Sequence, residues 1–287
     1  MIDDLTSRIT YNALLITHHA SLITHHSSRI THHVSRITHH VSAMQNLKMT
    51  IQYDGTNYHG WQIQTNGRTV QGELTRALSL LDHRPVTVYG AGRTDAGVHA
   101  EGQVANIFME REFEERVLRD AINANLDRDI RVLDIQNAPP EFNSRNSAKQ
   151  KTYCYRIWIG DVVSPFAYRY VHHHRGQLDV AEMKLAGASL IGTHDFSAFT
   201  VADSDVEDHV RTLGRLDILR DANELSIIVA ANGFLRSMVR TIVGTLIDVG
   251  RGKRMVASVN DALESRNRSN AGPSAPANGL TLVKVDY

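Results

Sequence analysis

Hydrophobic positions along residues 50–136 change period several times, and each period predicts a different element. Runs in which every second residue is apolar predict strands, whereas apolar residues three and four apart predict helices. Thr69 can cap a helix that runs to about Leu81, because a threonine side chain accepts from the first free amides of a helix. The predicted order is a strand at 50–53, the helix from 69, strands at 86–89 and 103–109, a helix at 114–126 and a strand at 130–136. The helix at 114–126 is predicted to bury Val117, Leu118, Ala121 and Ile122.

A second cycle begins with the alternating stretch from Lys151 to Ile159. It continues with a helix at 179–191, strands near 211–219 and 224–231, a strongly amphipathic helix at 234–249 and a strand at 280–285. The close strand pair at 211–231 favours antiparallel pairing over a doubly wound parallel sheet. The similar order of elements in both halves predicts an α+β protein of two related domains, with mixed or antiparallel sheets and flanking helices. We place the N-terminal domain at 44–146 and the C-terminal domain at 147–287.

Residues 1–43 do not share this patterning. Four copies of Ile-Thr-His-His, the first at Ile16, repeat every seven residues and carry eight of the 16 histidines. The histidine pairs are compatible with metal binding, and the scarcity of acidic residues is compatible with a transit peptide. The near-identity of the copies instead favours a low-complexity extension, disordered or non-native, ahead of a start at Met44 or Met49. The function is then expected to reside in residues 44–287.

The composition narrows the function classes without choosing one. Hydrophobic residues at 42% and charged residues at 22% are typical of a globular protein, and no apolar run approaches the roughly 20 residues that span a bilayer. Cys154 is the only cysteine, so an internal disulfide and a cysteine-rich zinc site are excluded, which fits a reducing, cytoplasmic location. Lys and Arg together equal Asp and Glu at 31 each, so a nucleic-acid partner would need a local basic surface.

The glycine-rich stretch GAGRTDAGVHA (90–100) is the first candidate for chemistry. It places Asp95 two residues after Arg93, directly behind a predicted strand. An ordinary solvated turn has the same composition. A carboxylate with a free pKa of about 3.9 can also act as a nucleophile or base, and glycines let a substrate approach the backbone. His99 is a candidate acid or base, although a structural or positioning role is favoured.

A second candidate lies at the start of the helix predicted at 234–249. Asn232, Arg236 and Arg240 recur every four residues, on a face separate from the apolar stripe. Such a face can be a solvated basic surface. Alternatively, its donors can combine with the positive end of the helix to hold a carboxylate or a phosphate.

The strand predicted at 151–159 combines aromatic and basic residues. Most aromatic residues are expected to pack in the core, but a tyrosine here can stack on a nucleobase, worth roughly 1–3 kcal/mol. The best local basic patch of the second half comprises Arg145, Lys149, Lys151 and Arg156. The sequence contains no phosphate-binding loop, dinucleotide fingerprint, HExxH or serine-elbow motif, so no metal or cofactor is predicted for residues 44–287.

Seven motifs resemble, in order, those of the TruA-type tRNA pseudouridine synthases. The most specific is GRTDAGVHA at 92–100. The others are YDGTNYHGWQ (53–62), TVQGEL (69–74), the stretch from Phe142 to Tyr155, GTHDFSAF (192–199), FLRSMVRTIVG (234–244) and AGPSAPANGLTLVKVDY (271–287). The resemblance covers nearly all of 44–287 and none of 1–43, and Ser144 stands where the family often has alanine.

This resemblance implies that uridine is isomerised to pseudouridine in the tRNA anticodon stem-loop, at positions 38 to 40, by a homodimer without a cofactor. Asp95 would be the nucleophile, attacking C1′ or C6, and Arg240 would pair with it. Arg93 would assist base flipping or hold a phosphate. Tyr153 would stack on the uracil and assist removal of the C5 proton. The family fold has two similar α+β domains in a continuous sheet around a central basic cleft.

Two other functions fit parts of the pattern. One is a tRNA-binding RNA chaperone with the same fold, which would not need Asp95 for its role. The other is an aspartate-dependent hydrolase or glycosidase. Glycosidases usually need a second carboxylate near the first, and none is evident in the loop.

Overall fold

The computed structural model describes residues 44–201 and 206–287, so the predictions made for residues 1–43 lie outside it. The strands are β1 (Gln45–Tyr53), β2 (Tyr89–Gly90), β3 (His99–Met109), β4 (Ile130–Asn137), β5 (Gln150–Ile159), β6 (His172–His174), β7 (Gly192–Asp195), β8 (Val210–Asp221), β9 (Glu224–Ala231) and β10 (Leu280–Asp286). The helices are α1 (Val70–Asp82), α2 (Glu115–Ala124), α3 (Val180–Ala188), α4 (Met238–Gly250) and α5 (Ser258–Ser265).

The strands form one mixed sheet in the order β4-β1-β3-β10-β5-β9-β8-β7, with β2 paired to β3 and β6 paired to β5. The last strand, β10, joins the two halves of the chain, because it is parallel to β3 and antiparallel to β5. In register, Ala100 of β3 pairs with Leu282 of β10, which pairs with Tyr153 of β5. The loop that leads into β3 is therefore only two strands away from Tyr153.

Helices flank this sheet and share its hydrophobic core. α1 contacts α2, and α2 contacts β4, while α3 contacts both α4 and β8. Leu74 of α1 and Ile242 of α4 are fully buried in this core. The mixed sheet with flanking helices confirms the predicted α+β class, whereas the division into domains at 44–146 and 147–287 stays a prediction. Among the described residues, no helix has the length and apolar character needed to cross a membrane.

The helix predicted at 234–249 begins four residues later than expected. Ser237 has a φ of 58°, a left-handed conformation that a right-handed helix cannot continue through, and α4 therefore begins at Met238. Leu235, which the periodicity assigns to the helix stripe, is buried ahead of the helix. The apolar pattern thus continues across a residue whose backbone conformation interrupts the helix.

The other departures are local. Val117, predicted to face inward, is 54% exposed, because α2 buries Leu118 and Ile122 on a face turned away from it. The strand predicted at 86–89 is reduced to β2. The sequence patterns did not predict β6, β7 or α5. The two strands are too short to show a period, and each forms where a neighbouring strand supplies hydrogen bonds.

Candidate active site

Asp95 lies in the loop at 91–98, which connects β2 to β3 and turns sharply after the aspartate. Val98 N donates to Asp95 O at 3.1 Å, and the turn contains Gly97 with a φ of 78°. A positive φ of this size is strained for a residue with a Cβ, so the position favours glycine. The turn fixes Asp95 at the entry to β3.

Buried polar contacts hold the loop on the side that precedes the aspartate. The Thr94 hydroxyl lies 2.9 Å from the Tyr53 hydroxyl, and Gln103 Nε2 donates to Gly92 O at 3.0 Å. Burial raises the pKa of Tyr53 to about 12, so its phenol keeps its proton and remains a hydrogen-bond donor. The loop is therefore anchored on both sides of the aspartate.

Two donors from the segment around the start of α4 contact the Asp95 carboxylate. Arg240 Nη1 donates to Asp95 Oδ2 at 2.9 Å, and Ser237 Oγ donates to the same oxygen at 3.1 Å. The side chains of Asp95 and Arg240 are 26% and 20% exposed, so solvent screens this charge-assisted pair only in part. Both of these donors contact Oδ2 rather than Oδ1.

The segment at 271–276 holds the other side of the Arg240 guanidinium. Arg240 Nε donates to Ala275 O at 2.8 Å, and Ala275 N donates to Arg240 O at 2.9 Å. A Cβ added to Gly244 would lie 1.7 Å from Pro273 O, so this segment packs directly on the backbone of α4. Arg240 therefore presents Nη1 to the carboxylate in a fixed orientation.

Tyr153 of β5 lies close enough to Asp95 for the carboxylate to affect its ionisation. Tyr153 is 6% exposed, and its ring meets Phe234 edge-on with the centroids 5.1 Å apart. Burial, and to a smaller extent Tyr53 and Asp95, raise the pKa of the Tyr153 phenol well above its usual range. At neutral pH the ring is therefore uncharged.

Three of the four predicted site residues, Asp95, Arg240 and Tyr153, are brought together from distant parts of the chain. Arg93 is exposed on the same loop as Asp95. Ser237 was not among the predicted residues. Helical spacing gives no signal for it, since its left-handed backbone places it outside α4.

Asn232 and Arg236 do not join the site, contrary to the face inferred from their spacing with Arg240. Both precede α4, because the helix begins only after Ser237. Asn232 Oδ1 accepts from Thr212 N at 3.0 Å, and Arg236 is exposed.

His99 is buried at the start of β3. It is 3% exposed, Gly55 N donates to its Nδ1 at 3.0 Å, and its Nε2 lies 3.0 Å from Arg169 O. Burial is the main cause that lowers the pKa of His99, so the ring is neutral at neutral pH. These contacts favour the positioning role over the acid or base role.

The predicted basic patch is divided by its contacts. Arg156 donates to both carboxylate oxygens of Glu224, at 2.6 and 2.8 Å, so its charge is compensated. Lys151 is half-buried, and its Nζ would lie 3.5 Å from a Cβ added to Gly92. Lys151 therefore lies next to the loop that carries Asp95.

Comparison with known proteins identifies similar chains. A family model described as tRNA pseudouridine synthase matches residues 49–145 and 186–287. Three relatives are named tRNA pseudouridine synthase A. The protein from Anoxybacillus flavithermus is 45% identical over 245 residues, which cover 85% of this chain and 99% of the relative. The protein from Thermodesulfovibrio yellowstonii is 40% identical, over 85% of this chain and 100% of its own length. The protein from a Geobacillus species is 42% identical, over 85% of this chain and 98% of its own length.

Among solved structures, an archaeal box H/ACA sRNP Nop10-Cbf5 complex is 12% identical, with a TM-score of 0.31. The match covers 70% of this chain and 43% of that chain, and the likeness is too slight to support an argument.

Proposed function

The chain belongs to the tRNA pseudouridine synthase family, whose members are isomerases, and we propose that it acts on uridines 38 to 40 of the tRNA anticodon stem-loop. The seven motifs that resemble TruA-type enzymes support these positions. The observation that carries the proposed site is the contact between Arg240 Nη1 and Asp95 Oδ2, which is 2.9 Å long.

The reaction breaks the C1′–N1 bond of uridine and joins C1′ to C5. The C5 proton is lost and N1 gains one, so the product is an isomer of the substrate. A base stacked in an RNA stem cannot reach a protein side chain, so the nucleotide must be flipped out at a cost of a few kcal/mol. Arg93, exposed on the loop, is the residue proposed to fill the vacated space or to hold a phosphate.

Asp95 is the proposed nucleophile, and Oδ1 is its proposed attacking atom because both donors contact Oδ2. Arg240 and Ser237 orient the carboxylate before the substrate arrives. Donors fixed in this way lose little energy to reorganisation during the reaction, which is the usual advantage of a preorganised polar site.

Tyr153 is proposed to pack against the flipped uracil. Its raised pKa keeps the phenol protonated at neutral pH, so no phenolate is available to remove the C5 proton, and stacking is favoured over that alternative. Removal of that proton then falls to another acceptor.

We also propose a cytoplasmic homodimer that places one tRNA across both subunits, as the family resemblance implies. Light scattering should give twice the mass of one chain. A monomer that retained full activity would contradict this arrangement.

The proposed chemistry can be tested with a tRNA labelled with tritium at C5 of the uracils in its anticodon stem-loop. Formation of pseudouridine releases the tritium, so the wild type should release it and Asp95→Asn should not, while both bind the tRNA. Asp134→Asn is the matched control, because Asp134 is exposed on β4. Normal turnover by Asp95→Asn would refute the nucleophile. If Asp95→Asn had no turnover but still fulfilled the cellular role of the wild type, the RNA chaperone would be favoured instead. Pseudouridine formed only outside positions 38 to 40 would refute the proposed targets.

A further inference from the structure

Lys151 is not used by the chemistry proposed above, although it lies beside it. It is two residues from Tyr153 on β5, and alternate residues of a strand share a face at a separation of about 6.6 Å. A Cβ added to Gly92, the residue before Arg93, would lie 3.5 Å from Lys151 Nζ. The ammonium group therefore reaches the site loop on the side of Tyr153.

Arg145 and Arg211 add their positive charge to the surroundings of the Lys151 ammonium. Arg145 is exposed in the segment before β5, and Arg211 lies near the start of β8, where its Nε would be 3.5 Å from a Cβ added to Gly233. We call Lys151, Arg145 and Arg211 the cationic cluster.

In the described part of the chain, this cluster has fewer carboxylate partners than other cations of the sheet. Within residues 44–201 and 206–287, no carboxylate lies within 4.0 Å of Lys151 or Arg145, and Arg211 has only the exposed Asp208, at 4.0 Å. By contrast, Lys284 pairs with a carboxylate at 3.0 Å. Three like charges around a half-buried position repel one another.

The ionisation of Lys151 reflects this crowding. Burial, followed by the charges of Arg145 and Arg211, lowers the pKa of its ammonium to about 8. An anion bound between the three side chains would offset the repulsion and favour the charged form of the lysine. The arrangement is therefore suited to a negatively charged ligand.

We propose that the cationic cluster binds a phosphate of the RNA strand next to the uridine that enters the site. This inference rests on the proposed tRNA function. A lysine binds phosphate as a compact point charge, and a guanidinium adds directed hydrogen bonds. Because Lys151 and Tyr153 share a face of β5, a nucleotide whose base packs on Tyr153 has its backbone within reach of Lys151. The contact fixes the register of the strand relative to Asp95.

The first test compares the binding of tRNA to the wild type, Lys151→Gln and Lys284→Gln over a range of salt concentrations. Lys284 is the matched control, because it is 57% exposed and pairs in register with Thr152, so its side chain leaves the opposite face of the sheet from Lys151. Loss of one phosphate contact should weaken binding roughly ten-fold. The slope of log K against log salt concentration should become less steep by about 0.7 to 0.9. Lys284→Gln should show neither change.

The second test locates the phosphate with stem-loops that carry one uncharged methylphosphonate, on the 5′ or the 3′ side of the target uridine. On the contacted side, the modification should weaken binding to the wild type but should not weaken binding to Lys151→Gln any further. Lys151→Arg should retain the affinity, which separates loss of charge from loss of folding. Two results would overturn the proposal. One is that the methylphosphonate, on either side, weakens binding to Lys151→Gln as much as it weakens binding to the wild type. The other is that Lys151→Gln and Lys284→Gln lose the same affinity for tRNA. Tritium release reports separately on the proposed function, so a wild type with the coupled binding but no release would contradict that function and leave the phosphate site standing.

Discussion

Arg240→Ala is the most direct perturbation of the site, because it removes the guanidinium from Asp95 and leaves the carboxylate in place. The ion pair has an N–O distance of 2.9 Å, with side chains 20% and 26% exposed. At an effective dielectric constant of about 20, the Coulomb energy at this distance is about 6 kcal/mol, and desolvation of the two groups offsets a large part of it. A fixed donor to a reacting charge is typically worth about 3–4 kcal/mol, so kcat should fall by about 10²–10³-fold.

The assay is single-turnover tritium release at saturating tRNA, with the Kd for tRNA measured separately. The rate should fall by this factor while Kd changes by less than about three-fold, because the contacts of Arg240 are to Asp95 and Ala275 inside the protein. Losing the bond to Ala275 O should cost about 1 kcal/mol of unfolding free energy, so the variant should still fold.

Arg236→Ala is the control for this prediction. It removes the same charge four residues earlier, from an exposed side chain that does not contact Asp95. Its kcat should match the wild type even if its Kd changes. A fully active Arg240→Ala would refute the role of the pairing, and an equal loss of kcat in Arg236→Ala would show that positive charge in this region, rather than the pairing, is what matters.

Three further predictions concern neighbouring features. Ser237→Ala removes the donor that lies 3.1 Å from the site carboxylate, so single-turnover rates should fall about ten-fold; an unchanged rate would remove Ser237 from the site. Gly244→Ala would place a Cβ 1.7 Å from Pro273 O, and urea unfolding should show a loss of about 2–3 kcal/mol, so a neutral result would contradict this packing. Burial, and then two neighbouring histidines, lower the pKa of His172 to about 4. Its neutral form therefore contributes stability that is complete above the unfolded pKa of about 6.5 and is lost as the pH falls towards 4. Between pH 7 and 4, the free energy of unfolding of the wild type should fall by about 1 kcal/mol, a figure that allows for solvent screening of the half-buried ring. His172→Gln should lack this loss, and identical pH profiles of the two proteins would refute the assignment.

The prediction at Thr69 shows where the sequence was sufficient. A capping residue followed by an apolar face predicted a helix to about Leu81, and α1 spans Val70–Asp82 with Gly72 N donating to Thr69 Oγ1 at 3.2 Å. Both the cap and the apolar face involve residues a few positions apart, so a local pattern contains the necessary information.

The prediction around Ser237 shows where it was not sufficient. The apolar spacing runs unbroken from Leu235 into α4, and only the left-handed backbone at Ser237 reveals that the helix starts later. That conformation places Ser237 Oγ on Asp95 while Arg236 stays exposed. Periodicity records which residues are apolar but does not record a single reversed φ.

The sequence by itself determined the longer strands and helices, the chemical character of the Asp95 loop and, through its motifs, the family. Only the tertiary structure decided which side chains meet: Arg240 contacts Asp95 across 145 positions, and Lys151 lies next to Gly92. The physical reason is that β10 lies between β3 and β5, in a pairing set by backbone hydrogen bonds and burial between segments far apart in the chain. A local pattern specifies which face of a strand is buried, but not which distant strand will lie beside it.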